Sequence, residues 1–176
     1  MQAYYLARLS FFFKRKDNKL RLIFDTRVPN AYFKEPPAVS LASGDALSEL
    51  ELDGETTTYI DGSDVEVCFY QHEIPEWIRE YFGVPSIEAS FLPAGLRRAW
   101  RRRGEQGDEV CFRVRVCPMG WSWAVSLAQK AHEWLLRGVG KPFPWVLDKV
   151  PYPPLFTVGT VKVLCIDDFA VLGSSP

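Results

Sequence analysis

The chain has 176 residues, 47% of them hydrophobic, and a net charge of −1, a composition that suits one good core and excludes an intrinsically disordered protein. No apolar run reaches the roughly 18 residues of a membrane-spanning helix, and Met1 to Phe13 lacks the small-residue cleavage site of a secretory signal. Cys68, Cys111, Cys117 and Cys165 sit in apolar, strand-like contexts without C-x-x-C spacing, so reduced, buried thiols in an intracellular protein are expected.

The charge is segregated along the chain. Residues 1–34 carry eight basic side chains against Asp17 and Asp25, and residues 45–88 carry twelve acids against Arg79 alone. Basic charge returns at Arg97, Arg98, Arg101, Arg102 and Arg103. Two basic segments flanking an acidic one suit a protein that grips polyanions while gathering carboxylates at its centre.

Phe11-Phe12-Phe13 and Leu20 to Asp25 flank a Lys/Arg/Asp/Asn stretch and predict a hairpin with a basic tip. Arg21 shares a face with Ile23 and Asp25, where its planar fork could clamp a phosphate. Ser43 predicts the cap of a short helix through Glu49. A strand is expected to end near Asp64, with Phe69 and Tyr70 on the turn or short helix that follows. Pro75 opens a helix carrying Trp77, Ile78, Tyr81 and Phe82, closed by Gly83.

Residues 97–109 read as an exposed excursion. A strand follows, with Val110, Phe112, Val114 and Val116 on one side and Cys111, Arg113, Arg115 and Cys117 on the other. After Pro118-Met119-Gly120, Ser122 is expected to cap a helix whose apolar stripe is Ala124, Leu127, Ala128, Ala131, Trp134 and Leu135. The proline-rich 138–158 segment reads as an irregular connection. Finally, Val161 to Gly173 predicts two apolar strands around a turn that carries the adjacent acids Asp167 and Asp168.

Taken in order, these segments resemble a reverse transcriptase of the retroelement type. Lys14 to Arg27 with Asn30 resembles the fingers motif, a basic hairpin followed by D-x-R-x-x-N. Asp64, with Phe69 five residues on and Gln71 seven on, resembles the first palm motif. Cys117-Pro118-Met119-Gly120-Trp121 resembles the P-x-G motif, and Cys165-Ile166-Asp167-Asp168 the x-x-D-D hairpin. Asp64 is favoured over Asp61 because only Asp64 has Phe69 and Gln71 at the family distances. Cys165 departs from the family's usual Tyr, and the 138–158 segment accounts for a long separation between Asp64 and Asp167.

The resemblance implies an α+β fingers–palm fold with an antiparallel palm sheet backed by helices. Fingers would take in about 1–57 and 77–115, and palm about 58–76 and 116–176, with the thumb and RNase H portions of a longer polyprotein missing. It also implies an RNA-directed DNA polymerase acting on a template–primer and deoxynucleotides, with no membrane partner. Asp64, Asp167 and Asp168 would be catalytic residues that hold two Mg²⁺ ions, with Mn²⁺ as a substitute, about 4 Å apart. Arg21, with Arg15 or Lys16, would hold the triphosphate, and Met119 and Gly120 would line the nucleotide site. Phe69 would be the steric gate against the 2′-hydroxyl. The alternative is a catalytically silent, nucleic-acid-binding remnant with the same fold.

Overall fold

The structure is a computed structural model that describes residues 8–14, 19–52, 54–102, 107–138, 143–151 and 154–174. The chain divides into two units: Met1–Lys34 with Phe69–Trp121, and Glu35–Cys68 with Ser122–Pro176. None of the helices described is long and apolar enough to cross a membrane.

The first unit begins with an antiparallel hairpin of β1 (Arg8–Lys14) and β2 (Lys19–Asp25), in register from Arg8–Asp25 to Lys14–Lys19. A turn of helix, α1 (Arg27–Asn30), follows. The unit's core is aromatic: Phe33 stacks on Phe82 at 6.0 Å and meets Trp121 edge-on at 5.3 Å, and Phe82 meets Trp121 at 5.5 Å. Such offset and edge-to-face contacts suit the ring quadrupoles. Downstream of α3 (Cys68–Gln71), α4 (Glu76–Arg79) tightens into a single 3₁₀ turn over Glu80–Phe82. Gly83 is the C-cap residue, as expected, but it is extended rather than left-handed and bridges to Arg113.

The expected strand through 110–117 is regular only at its start, where β5 (Glu109–Val110) pairs with β4 (Ile87–Glu88). Beyond it the chain runs extended beside residues 72–84, through bonds such as Val114 N–H to Phe82 O and Cys117 N–H to His72 O. The 3₁₀ turn on the partner segment breaks the ladder's two-residue repeat. Phe112 is therefore exposed, while Val110 and Cys117 are buried. The expected excursion at 97–109 opens as helix: α5 spans Ala94–Arg102. One side of α5 is anchored by Trp100, which packs on the buried Ala89, Leu92 and Val110.

The second unit is built on a four-stranded sheet in the order β3 (Tyr59–Asp64), β8 (Asp168–Gly173), β7 (Thr160–Cys165), β6 (Trp145–Val146). The expected antiparallel sheet is in fact mixed, because Trp145 and Val146 run parallel to Lys162 and Val163. The segment read as irregular supplies this edge strand and a turn of helix, α7 (Leu155–Val158). Its Val146 and Leu155 are buried with Ala42, Ala46, Val161 and Val163. Each valine or leucine among them, fully buried, contributes about 1.5–3 kcal/mol. Ser43 caps α2 (Gly44–Ser48) as expected, accepting from Ala46 N–H at 3.0 Å.

Strand β7 is buried from Val161 to Leu164, as a central strand covered on both faces should be. Lys162 fits there because its ammonium lies 5.5 Å from the Trp145 ring and 5.9 Å from the Phe143 ring. Helix α6 (Ala124–Arg137) shares a cleft with Leu164. Its buried side keeps Ala124 and Ala128 of the expected stripe and departs from the rest. Leu127, Trp134 and Leu135 are exposed, whereas Ser126 and Gln129 are buried beside Ala124 and Ala128. Trp123, not Ser122, is the N-cap residue.

Candidate functional site

Two residues, Ile166 and Asp167, connect β7 to β8, so that Cys165 pairs with Asp168 at the end of the ladder. On the other side of β8, Asp168 lies directly opposite Asp64, the last residue of β3. Directly opposed residues on an antiparallel pair share a face and hold their Cβ atoms roughly 5 Å apart. Just past β3, Val65 N–H donates to Asp167 O at 3.0 Å. Three acids from two distant segments thus meet at one end of one sheet, Asp64 and Asp168 exposed and Asp167 half-buried.

The thiols beside them register the crowding of negative charge. Burial, then the charges of Asp167 and Asp64, push the Cys68 thiol above its ordinary range. Burial, then Asp168 and Asp167, do the same to Cys165. All four cysteines are thiols, but only Cys68 and Cys117 are buried, and Cys111 and Cys165 are half-buried. The expectation of four buried thiols is corrected accordingly.

Like charges placed directly opposite on a ladder are destabilising, and a hard cation with oxygen ligands relieves the repulsion. Among the described residues no three His, Cys, Asp or Glu side chains form a ready-made ligand group. Magnesium, which keeps several waters and takes substrate phosphates as ligands, is bound through one or two carboxylates and does not need such a cage. The donor set of Asp64, Asp167 and Asp168 therefore fits that ion in its chemistry.

Two further residues act on this end of the sheet and escaped the sequence reading. Gln129 Oε1 on α6 accepts from Ile166 N–H at 2.8 Å, and His132 Nδ1 lies 2.9 Å from Ile166 O. The available signal was a glutamine between Ala128 and Ala131, on the side of the helix that would otherwise be apolar.

The remaining predicted residues belong to the first unit. Gly120 has φ +107°, and a Cβ there would meet Thr26 Oγ1 at 3.0 Å and Phe24 O at 3.1 Å, so only glycine fits without displacement. Asn30 Nδ2 donates to Gly120 O at 3.1 Å. Asp25 takes a two-pronged hydrogen bond from Arg27, 2.9 and 2.7 Å, which raises the guanidinium pKa further. The D-x-R-x-x-N tail and the P-x-G turn, far apart in sequence, are thereby one local assembly, with Met119 exposed beside it. Phe69 is half-buried on α3. Arg21 stands opposite Phe12 in the β1–β2 register, and Arg15 and Lys16 lie outside the described residues.

On α5, Arg97, Arg98, Arg101 and Arg102 line a single surface groove of about 410 Å³. They form no ion pair among the described residues, whereas Arg113 and Arg115 are paired with Glu80 and Glu73. Arginines four apart on a helix repel one another, a cost that a bound anion offsets.

Comparison with protein-family models and with curated proteins returns no match for this chain.

Proposed function

We propose that this chain carries the nucleotidyl-transfer site of an RNA-directed DNA polymerase, extending a primer 3′-hydroxyl with deoxynucleotides. The observation that supports this reading best is the register that sets Asp64 opposite Asp168, with Asp167 in the adjoining turn. Those are the acids that the order of the four motifs assigns to the chemistry.

Asp64, Asp167 and Asp168 are the residues that would hold magnesium, which when bound stabilises the attacking and leaving oxygens of an in-line displacement. The three carboxylates mark where the reacting phosphate is brought. Met119 and Gly120 belong to the nucleotide site, Phe69 discriminates at the sugar, and Arg21 with Arg15 or Lys16 takes the triphosphate. The arginine face of α5 serves the nucleic acid's phosphates, through charge and the bidentate geometry of guanidinium on phosphate. That face would also serve a silent, binding-only protein, so catalysis rests on the acids alone.

The test is primer extension with magnesium. Asp64→Asn and Asp167→Asn are each expected to reduce incorporation at least about a hundredfold, with the circular dichroism spectrum unchanged. Incorporation at the parent rate by either variant would refute the assignment. A parent chain that binds template–primer but extends nothing would support the binding-only reading.

A further inference from the structure

The turn that presents the acids is built on an ill-suited residue. Ile166 has φ +62°, and it is the first central residue of a two-residue hairpin connection. Asp167 is not among the positive-φ residues, so the turn has the pattern in which glycine usually takes that first position. A left-handed conformation crowds the Cβ of any L-residue, and β-branching makes it worse. Strain of this kind persists only where the surroundings over-determine it.

Here the surroundings are two side chains of α6. Gln129 accepts from the N–H of Ile166, and His132 lies against its carbonyl oxygen. Spaced three apart, they project from the same side of the helix. A carbonyl only accepts, so His132 Nδ1 carries the proton. Gln129 is 1% exposed. Its amide is oriented because Nε2 donates to Glu133 Oε1 at 3.2 Å, which leaves Oε1 for Ile166. Both peptide planes flanking the strained residue are thereby fixed from one rigid element. The following carbonyl, that of Asp167, is held by Val65 N–H.

We propose that Gln129 and His132 are positioning residues that hold Ile166 in its left-handed conformation and so set the direction in which Asp167 and Asp168 leave the sheet. Glycine at this position would reach the same conformation unaided and leave it as readily. Isoleucine with two clamps gives a turn that has fewer alternatives. Its consequence for metal binding rests on the reading of the acids given above, whereas the clamp itself does not.

Amide hydrogen exchange on the full chain tests the clamp without metal or activity. The reporter is Val65 N–H, which bonds to Asp167 O and is touched by none of the substitutions. Gln129→Leu is expected to speed its exchange about tenfold or more, with the β7 amide of Val163 unchanged. His132→Phe, which keeps a ring but loses the donor, should act in the same direction and serves if Gln129→Leu does not fold. Adding Ile166→Gly to either variant should return Val65 to within about threefold of the parent, because glycine needs no clamp. Unchanged Val65 exchange in the single variants, or no recovery with Ile166→Gly, would overturn the proposal.

A parallel Mn²⁺ titration by electron paramagnetic resonance should show affinity falling about tenfold in Gln129→Leu and recovering with Ile166→Gly. If the parent binds no Mn²⁺, the metal reading of the acids fails, and the exchange result still decides the clamp.

Discussion

The acidic end of the β3–β8–β7 sheet and the arginine face of α5 both concentrate like charge, but they do so by opposite means. Arg97, Arg98, Arg101 and Arg102 are neighbours in sequence, and the helical repeat alone puts them in one groove. Asp64 is distant in sequence from Asp167 and Asp168, and only strand register makes it their neighbour. A local charge cluster survives anything short of melting its helix. A cluster made by register depends on every hydrogen bond that holds the strands in phase.

The strongest way to break this comparison is to neutralise the arginine face. Changing all four α5 arginines to alanine should flatten the salt dependence of duplex binding, the slope of log K against log salt falling in magnitude by roughly 3 to 4, at about 0.9 per phosphate neutralised. Fluorescence anisotropy over a range of salt measures it. A slope like the parent's would mean that the face takes no part in binding nucleic acid.

A smaller effect is expected at Phe69, on the helix α3 that follows the first acid's strand. Phe69→Val should raise the ratio of ribonucleotide to deoxynucleotide kcat/KM by about tenfold. An unchanged ratio in an active enzyme would remove the ring from sugar selection and leave the acids as the whole of the assigned site.

The smallest effect reads the acids through their thiols. Burial and the neighbouring carboxylates hold the Cys68 and Cys165 thiols above the ordinary value of 9.0. The folded chain therefore keeps protons that the unfolded chain gives up. This contribution to stability is complete below about pH 9 and is lost as pH rises through the raised values. Asp167→Asn removes a charge that both thiols feel, so alkylation of the half-buried Cys165 by iodoacetamide near pH 8 should quicken about two- to fivefold. The four-arginine variant should leave that rate alone. Equal acceleration in both variants would dissolve the distinction between the two clusters.

Much of the frame was legible because it is local. The β7–β8 hairpin, the Ser43 cap, the end of β3 at Asp64 and the short helix through Phe69 each follow from turn chemistry, capping or alternation within a few residues. What escaped depended on partners far away. The stripe assigned to α6 took Leu127, Trp134 and Leu135 as buried, yet the helix buries Gln129, whose partner is a backbone amide that no periodicity reveals. Trp145 and Val146 sit among prolines and glycines that read as loop, and they become a strand only because Lys162 and Val163 offer an edge. Arginines followed by Gly, Asp and Glu read as an exposed excursion; α5 is exposed as expected, but it is helical and Trp100 anchors it on the cluster of Ala89, Leu92 and Val110. For the site, the acids were nameable from motif order, while the clamp at Ile166 was not, since nothing in an isoleucine before two aspartates announces a positive φ.

Strand β3 is exposed along its whole length, and this makes it unusually sensitive to changes in length. No buried side chain pins it in phase, so its alignment rests on the ladder with β8 and the bond from Val65. A single-codon deletion between Tyr59 and Asp64 would slide the strand by one step and turn each side chain to the opposite face. It would leave Val161, Val163 and their neighbours undisturbed. Such a chain would fold and accumulate normally while its acids no longer met, so among descendants of this sequence a missing residue here marks loss of the site more surely than most substitutions do.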